Sequence, residues 1–158
     1  MELRFVLNGN EVEIRDVPGE ESLLGLLRNY LDRKGAKEGC GVGECGACSV
    51  LLDGCVVNAC LTAAWQVQGR EVTTIEGMAK GPTLHPLQEA FLETGAVQCG
   101  FCTPGMIMSA ADLLSHNPDP GEEEIKRALA GNLCRCTGYH DIVRAVRRAA
   151  KRLREGPR

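Results

Sequence analysis

Leu3, Phe5 and Leu7 alternate with polar residues, the chain turns at Asn8-Gly9-Asn10, and the alternation resumes at Val12 and Ile14. A period of two on both sides of an Asn-Gly turn predicts a β-hairpin. After Pro18-Gly19 the period changes. Ser22 is placed to cap a helix whose apolar positions, Leu23, Leu24, Leu26, Leu27 and Leu31, recur in steps of three and four. Ser49 to Leu52, then Asp53-Gly54, then Cys55 to Val57 reads as a second hairpin, and residues 71–76 supply a further strand through Val72 and Ile75.

Between Gly77 and Pro86 the composition shifts to Gly, Pro and small residues, and the strand pattern stops. This predicts a boundary, with residues 1–77 and residues 78–158 as separate domains. Beyond it the period is helical. Leu87 to Glu93 and Gly105 to Leu114 are two helices, the second closed by Ser115-His116-Asn117-Pro118. A third begins near Gly121, with Glu122, Glu123 and Glu124 favouring its dipole and with Ile125 and Leu129 on its apolar face. The fourth runs from about Asp141 to Leu153, burying Ile142, Val143, Val146, Ala149, Ala150 and Leu153. The fold class is therefore α+β, with strands and one helix followed by four short helices packed as a bundle.

Composition adds two facts to this outline. The net charge of −3 carries no nucleic-acid footprint, and the 19 glycines among 158 residues leave many backbone positions unusual. Arg144, Arg147, Arg148, Lys151, Arg152, Arg154 and Arg158 make the carboxyl end basic, which reads as a solvated helix face and a frayed tail, with a partner-docking stripe as the alternative. The start MELRFVLNGN has no secretory pattern and no stretch is long enough to span a bilayer, so a cytoplasmic protein is expected. Nine cysteines without a signal segment argue against a disulfide framework.

The cysteines fall into two sets. Cys40, Cys45, Cys48 and Cys60 have the spacing C-x4-C-x2-C-x11-C, whose beginning is that of plant-type [2Fe-2S] ferredoxins. Glycines at 39, 41, 43 and 46 free the backbone to wrap a compact group and to present amides to sulfur. Strands, one helix and such a loop within residues 1–77 indicate a β-grasp ferredoxin domain. Cys99-Gly-Phe-Cys102 and Cys134-Arg-Cys136 form the second set. Taken alone, this set suits zinc as well as iron, but C-x4-C-x2-C winds three ligands round one loop, unlike the separated knuckles of zinc ribbons. With both sets in one chain, two [2Fe-2S] clusters are favoured. Cys55 is left over, as a small hydrophobe in a strand. His85, His116 and His140 have no catalytic partner and read as surface or capping residues, and Glu44 as a solvated or amide-paired carboxylate.

GCGVGECGACSVLLDG, QCGFCTPGMIM and LAGNLCRCTGY resemble the iron-sulfur subunit of the molybdenum hydroxylases, the xanthine dehydrogenase, carbon monoxide dehydrogenase and aldehyde oxidoreductase family. The likeness covers nearly the whole chain. It implies a β-grasp domain and a four-helix domain with one [2Fe-2S] cluster each. Electrons would pass from a molybdenum-pterin cofactor on a large partner subunit, through both clusters, to FAD on a medium partner subunit. By the same resemblance, Cys99, Cys102, Cys134 and Cys136 hold the cluster near the pterin, with Cys136 nearest to it, and Gln98 hydrogen-bonds the pterin. Cys40, Cys45, Cys48 and Cys60 hold the cluster facing the flavin. No catalytic residue is expected in the chain itself. CLTAAW, after Cys60, leans toward the purine enzymes of the family. The competing readings are a stand-alone ferredoxin-like carrier and a zinc-stabilised interaction module.

Overall fold

The computed structural model describes residues 1–156. β1 (Leu3–Leu7) and β2 (Asn10–Ile14) pair antiparallel with Phe5 opposite Val12. β3 (Ser49–Leu52) and β4 (Cys55–Asn58) form the second hairpin, and β5 (Glu71–Thr73) joins the two by running parallel to β1 and antiparallel to β3. The sheet order is β2-β1-β5-β3-β4. Both hairpin turns place two successive residues at positive φ, Asn8 and Gly9 in one and Asp53 and Gly54 in the other. That is the backbone twist a two-residue hairpin requires.

Leu3, Phe5, Leu7, Val50, Leu52 and Val72 face one side of the sheet, where α1 (Leu23–Gly25) and the π turn that continues it (Leu26–Tyr30) bury Leu23, Leu24, Leu26 and Leu27. Ser22 caps α1 as its position predicts, its Oγ accepting from Gly25 N at 3.0 Å. The helix differs from the sequence expectation in its winding, which widens after Leu26. The Leu23 and Leu24 amides donate to the Thr62 and Ala59 carbonyls, so the helix start is pinned to the segment that carries Cys60.

β5 stops three residues short of the strand predicted for residues 71–76. Asn8 is the cause: its Oδ1 accepts from Thr74 N at 2.8 Å and its Nδ2 donates to Thr74 Oγ1 at 3.0 Å, which replaces ladder bonding. The chain then turns through Ile75–Gly77, and Ile75 packs against a second core instead of the sheet.

That second core is helical. α2 (Pro86–Glu93), α3 (Thr103–His116), α4 (Glu122–Ala128) and α5 (His140–Glu155) bury Leu87, Phe91, Met106, Ile107, Ile125, Ile142 and Val146 against one another. His85 caps α2 through Nδ1, which accepts from Leu87 N, while His116 and His140 lie exposed. Leu153, predicted buried, is 44% exposed, since the apolar stripe of α5 ends at Ala150. The basic face of α5 is partly ion-paired. Arg148 and Arg152 reach Glu93, and Arg154 reaches Asp119. Arg158 lies outside the described residues. Among the described residues no helix is long and apolar enough to cross a membrane.

Candidate [2Fe-2S] sites

The first cysteine loop runs outside the sheet from Gly39 to Cys48. A Cβ at Gly39 would stand 2.8 Å from Cys45 Sγ, and Gly41, Gly43 and Gly46 have φ of +68°, +79° and +68°, so glycine is needed for space at one position and for conformation at three. The backbone this frees is turned onto sulfur: Val42 N and Glu44 N lie 3.5 and 3.3 Å from Cys40 Sγ. These amides, Val42 first, hold the Cys40 thiol down at about 7. Glu44 itself is exposed, and Asn58 Nδ2 ties the loop to the end of β4 by donating to the Gly43 carbonyl at 2.8 Å. Within this set Cys40 interacts chiefly with Cys45, and Cys48 chiefly with Cys60.

The second set is assembled from two segments. Cys99 and Cys102 precede α3, Gly100 between them has φ +81°, and Cys134 and Cys136 lie in the link from α4 to α5. Here too the thiols pair. Cys99 and Cys136 Sγ are 3.6 Å apart, and Cys102 interacts chiefly with Cys134. Burial pushes Cys48 up to about 11 and Cys102 up to about 12, so neither ionises at neutral pH unless a cation takes up the charge.

Two thiol pairs per site match what a two-iron centre needs, two cysteine ligands on each iron. A mononuclear zinc site would instead place all four ligands on a single ion. Thr103, directly after Cys102, has a buried hydroxyl oxygen without a partner among the described residues. Cradle, thiol pairs and orphaned hydroxyl all fit a compact sulfur-ligated group.

The two loops touch. Leu133 N, one residue before Cys134, donates to the Cys45 carbonyl at 2.9 Å. Asn132 is buried beside it, its Nδ2 donating to the Gly46 carbonyl at 3.1 Å and its Oδ1 accepting from Ser109 Oγ at 2.7 Å. Sequence reasoning singles out neither Asn132 nor Gly105, whose backbone packs on Gly46. The motif LAGNLCRC contains the asparagine, but nothing in its spacing distinguishes a buried clamp from a turn residue.

Gln98 is exposed and makes no hydrogen bond among the described residues. Cys55 begins β4 opposite Leu52 but is exposed, so its expected role as a strand hydrophobe fails on burial. It takes part in neither pair of either set. Cys55→Ser is therefore expected to leave the paramagnetic signals of both clusters unchanged, and loss of either signal would show a misassigned ligand.

Residues 5–77 match the 2Fe-2S iron-sulfur cluster binding domain and residues 74–147 match the [2Fe-2S] binding domain. The chain is 46% identical to a probable xanthine dehydrogenase subunit of Bacillus subtilis over 99% of its length and 90% of that protein's. It is 50% identical to the nicotinate dehydrogenase small FeS subunit of Eubacterium barkeri, over 92% of each chain. Among solved structures, quinoline 2-oxidoreductase from Pseudomonas putida 86 superposes with a TM-score of 0.94 at 39% identity, covering 99% of this chain and 97% of that one. Fold and sites together define an iron-sulfur protein with two [2Fe-2S] binding domains in series. The chain belongs to the iron-sulfur subunit family of the molybdenum hydroxylases, the xanthine dehydrogenase family of oxidoreductases.

Proposed function

We propose that this chain is the electron-transfer subunit of a heteromeric molybdenum hydroxylase and has no catalytic residue of its own. The observation that carries the proposal is the hydrogen bond from Leu133 N to the Cys45 carbonyl, which links the two thiol sets through one short contact. In this reading residues 1–77 are a β-grasp ferredoxin domain and residues 78–158 a four-helix domain. The mixed sheet with α1 across one face and the separate helical core support that division.

Cys40, Cys45, Cys48 and Cys60 would hold one cluster, and Cys99, Cys102, Cys134 and Cys136 the other. Each cluster supplies a one-electron carrier with no open coordination position for substrate. The chain's own work is to hold the two thiol sets in fixed register, to aim amides at sulfur and to present each set to a partner. Exposed apolar side chains flank both loops, Val42 (61%) and Leu61 (64%) at the first and Phe101 (47%) and Leu133 (58%) at the second. Apolar groups clustered at a redox site favour docking to other subunits. The partners in this proposal are a large subunit with a molybdenum-pterin cofactor, on the side of Cys99 and Cys136, and a medium subunit with FAD.

Gln98 is exposed next to Cys99, with its amide free to donate and accept, as a contact to the pterin would need. Gln98→Ala is expected to cost that contact about 1–3 kcal/mol. The assembled complex would lose molybdenum cofactor or reduce its clusters more slowly with substrate, while both [2Fe-2S] signals persist. The names of the relatives refer to xanthine, nicotinate and quinoline, so they do not single out the purines toward which CLTAAW leans.

The direct test is iron and acid-labile sulfide analysis of anaerobically prepared chain. Two [2Fe-2S] clusters require about four of each per chain. Stoichiometric zinc without sulfide would return the protein to the class of interaction modules.

A further inference from the structure

The second thiol set is held by a closed network that the first lacks. Thr137 Oγ1 lies 3.1 Å from Cys134 Sγ and accepts from Tyr139 N at 3.2 Å, while Cys134 N donates to the Tyr139 hydroxyl at 2.9 Å. To close this ring the chain adopts positive φ at two successive residues, Gly138 (+64°) and Tyr139 (+68°). An aromatic residue in that region is a conformational outlier that surrounding contacts must hold in place. The contacts that hold it converge on Cys134.

The direction of the Thr137 hydrogen bond follows from chemistry. A cysteine bound to iron is a thiolate and has no proton to give. One lone pair of Thr137 Oγ1 already receives the Tyr139 amide, and the hydroxyl hydrogen is left to point at Cys134 Sγ. In the first loop the corresponding donors at Cys40 are the backbone amides of Val42 and Glu44, which no side-chain substitution removes. At Cys134 the Thr137 hydroxyl joins the backbone amides of Cys136 and Thr137, and it is the one donor there that a side-chain substitution removes.

We infer that Thr137 is a positioning residue that raises the reduction potential of the helical-domain [2Fe-2S] cluster, its hydroxyl donating to the Cys134 thiolate. A donor at a ligand sulfur stabilises the more negative, reduced state over the oxidised one. The inference rests on the proposed ligand role of Cys134. It assigns to Thr137 a bias toward accepting electrons at this cluster.

The test is a redox titration of the holo chain, followed by the paramagnetic signals of both clusters. Thr137→Val, which keeps the shape but removes the hydroxyl, should shift the helical-domain cluster to lower potential and leave the other cluster in place as internal reference. Thr137→Ser should restore the wild-type potential. An unchanged potential in Thr137→Val with the cluster intact would overturn the inference. So would loss of that cluster in both Thr137→Val and Thr137→Ala, which would assign the residue to cluster retention. A wild-type chain with one signal in place of two would instead overturn the two-cluster reading, and the inference with it.

Discussion

Gly105→Ala is expected to destabilise the chain and loosen the contact between its two cysteine loops. A Cβ at Gly105 would fall on the Gly46 carbonyl oxygen and 3.1 Å from its carbonyl carbon, and both are backbone atoms. Alanine in a helix interior gains about 0.8–1.0 kcal/mol of propensity over glycine. Overpacking against atoms that cannot rotate away costs about 1–3 kcal/mol or more. The steric cost wins because Gly46 is itself confined: it has φ +68°, and its own Cβ position faces the Gly131 carbonyl at 2.5 Å. Gly131→Ala, with nothing near its Cβ position, is the control. Thermal unfolding of the two variants should separate them, and amide exchange at Leu133 should speed up in Gly105→Ala alone. A Gly105→Ala chain as stable as wild type would show that α3 and the first loop are not in fixed contact.

The same junction marks where the sequence stops being informative. Asn8-Gly9 and Asp53-Gly54 announce their hairpins because only certain residues tolerate the turn, and C-x4-C-x2-C announces its loop because spacing is itself the constraint. The pattern over residues 71–76 predicts too long a strand because Asn8, far back in the chain, supplies the bonds that end it at Thr73. Exposure is hidden for the same reason. Cys55 has a strand residue's neighbours in sequence, yet only the assembled sheet shows that its thiol faces out. Gln98 likewise carries no sequence mark of lying free beside Cys99.

Asn132 is the case in which the sequence is least informative, because a polar residue between two apolar segments is expected in a turn, whereas this one is 4% exposed. Its amide spans partners remote in the chain: Gly46 from the first loop, Ser49 at the start of β3 and Ser109 from α3. The Gly46 carbonyl it engages also accepts from Ser49 N and Ser49 Oγ, so this one oxygen gathers donors from both halves of the chain. Leu133, the next residue, makes the bond to Cys45 on which the proposed electron route depends.

Asn132→Ala is expected to cost about 1–3 kcal/mol, the penalty for leaving a buried hydrogen-bonding group without its partner. That loss should be nearly independent of pH, since no charge is introduced. Asn132→Asp should behave differently. A neutral carboxyl can still accept from Ser109 and donate to the Gly46 carbonyl, but a carboxylate would set a buried charge against that oxygen. Burial and the opposed carbonyl raise its folded-state pKa above the ordinary aspartate value of about 3.9. With the folded pKa above the unfolded one, the variant is close to wild type below the unfolded value. Its deficit grows as pH rises toward the folded pKa. Denaturant unfolding at about pH 5 and about pH 8 should show the Asp variant losing stability relative to wild type while the Ala variant keeps a constant gap. In both, electron exchange between the clusters should slow, because the Leu133 amide is no longer held against Cys45. An Asp variant whose deficit is the same at both pH values, or an Ala variant with wild-type stability and exchange, would remove Asn132 from the junction and leave Gly105 and Gly46 as the contact that sets its geometry.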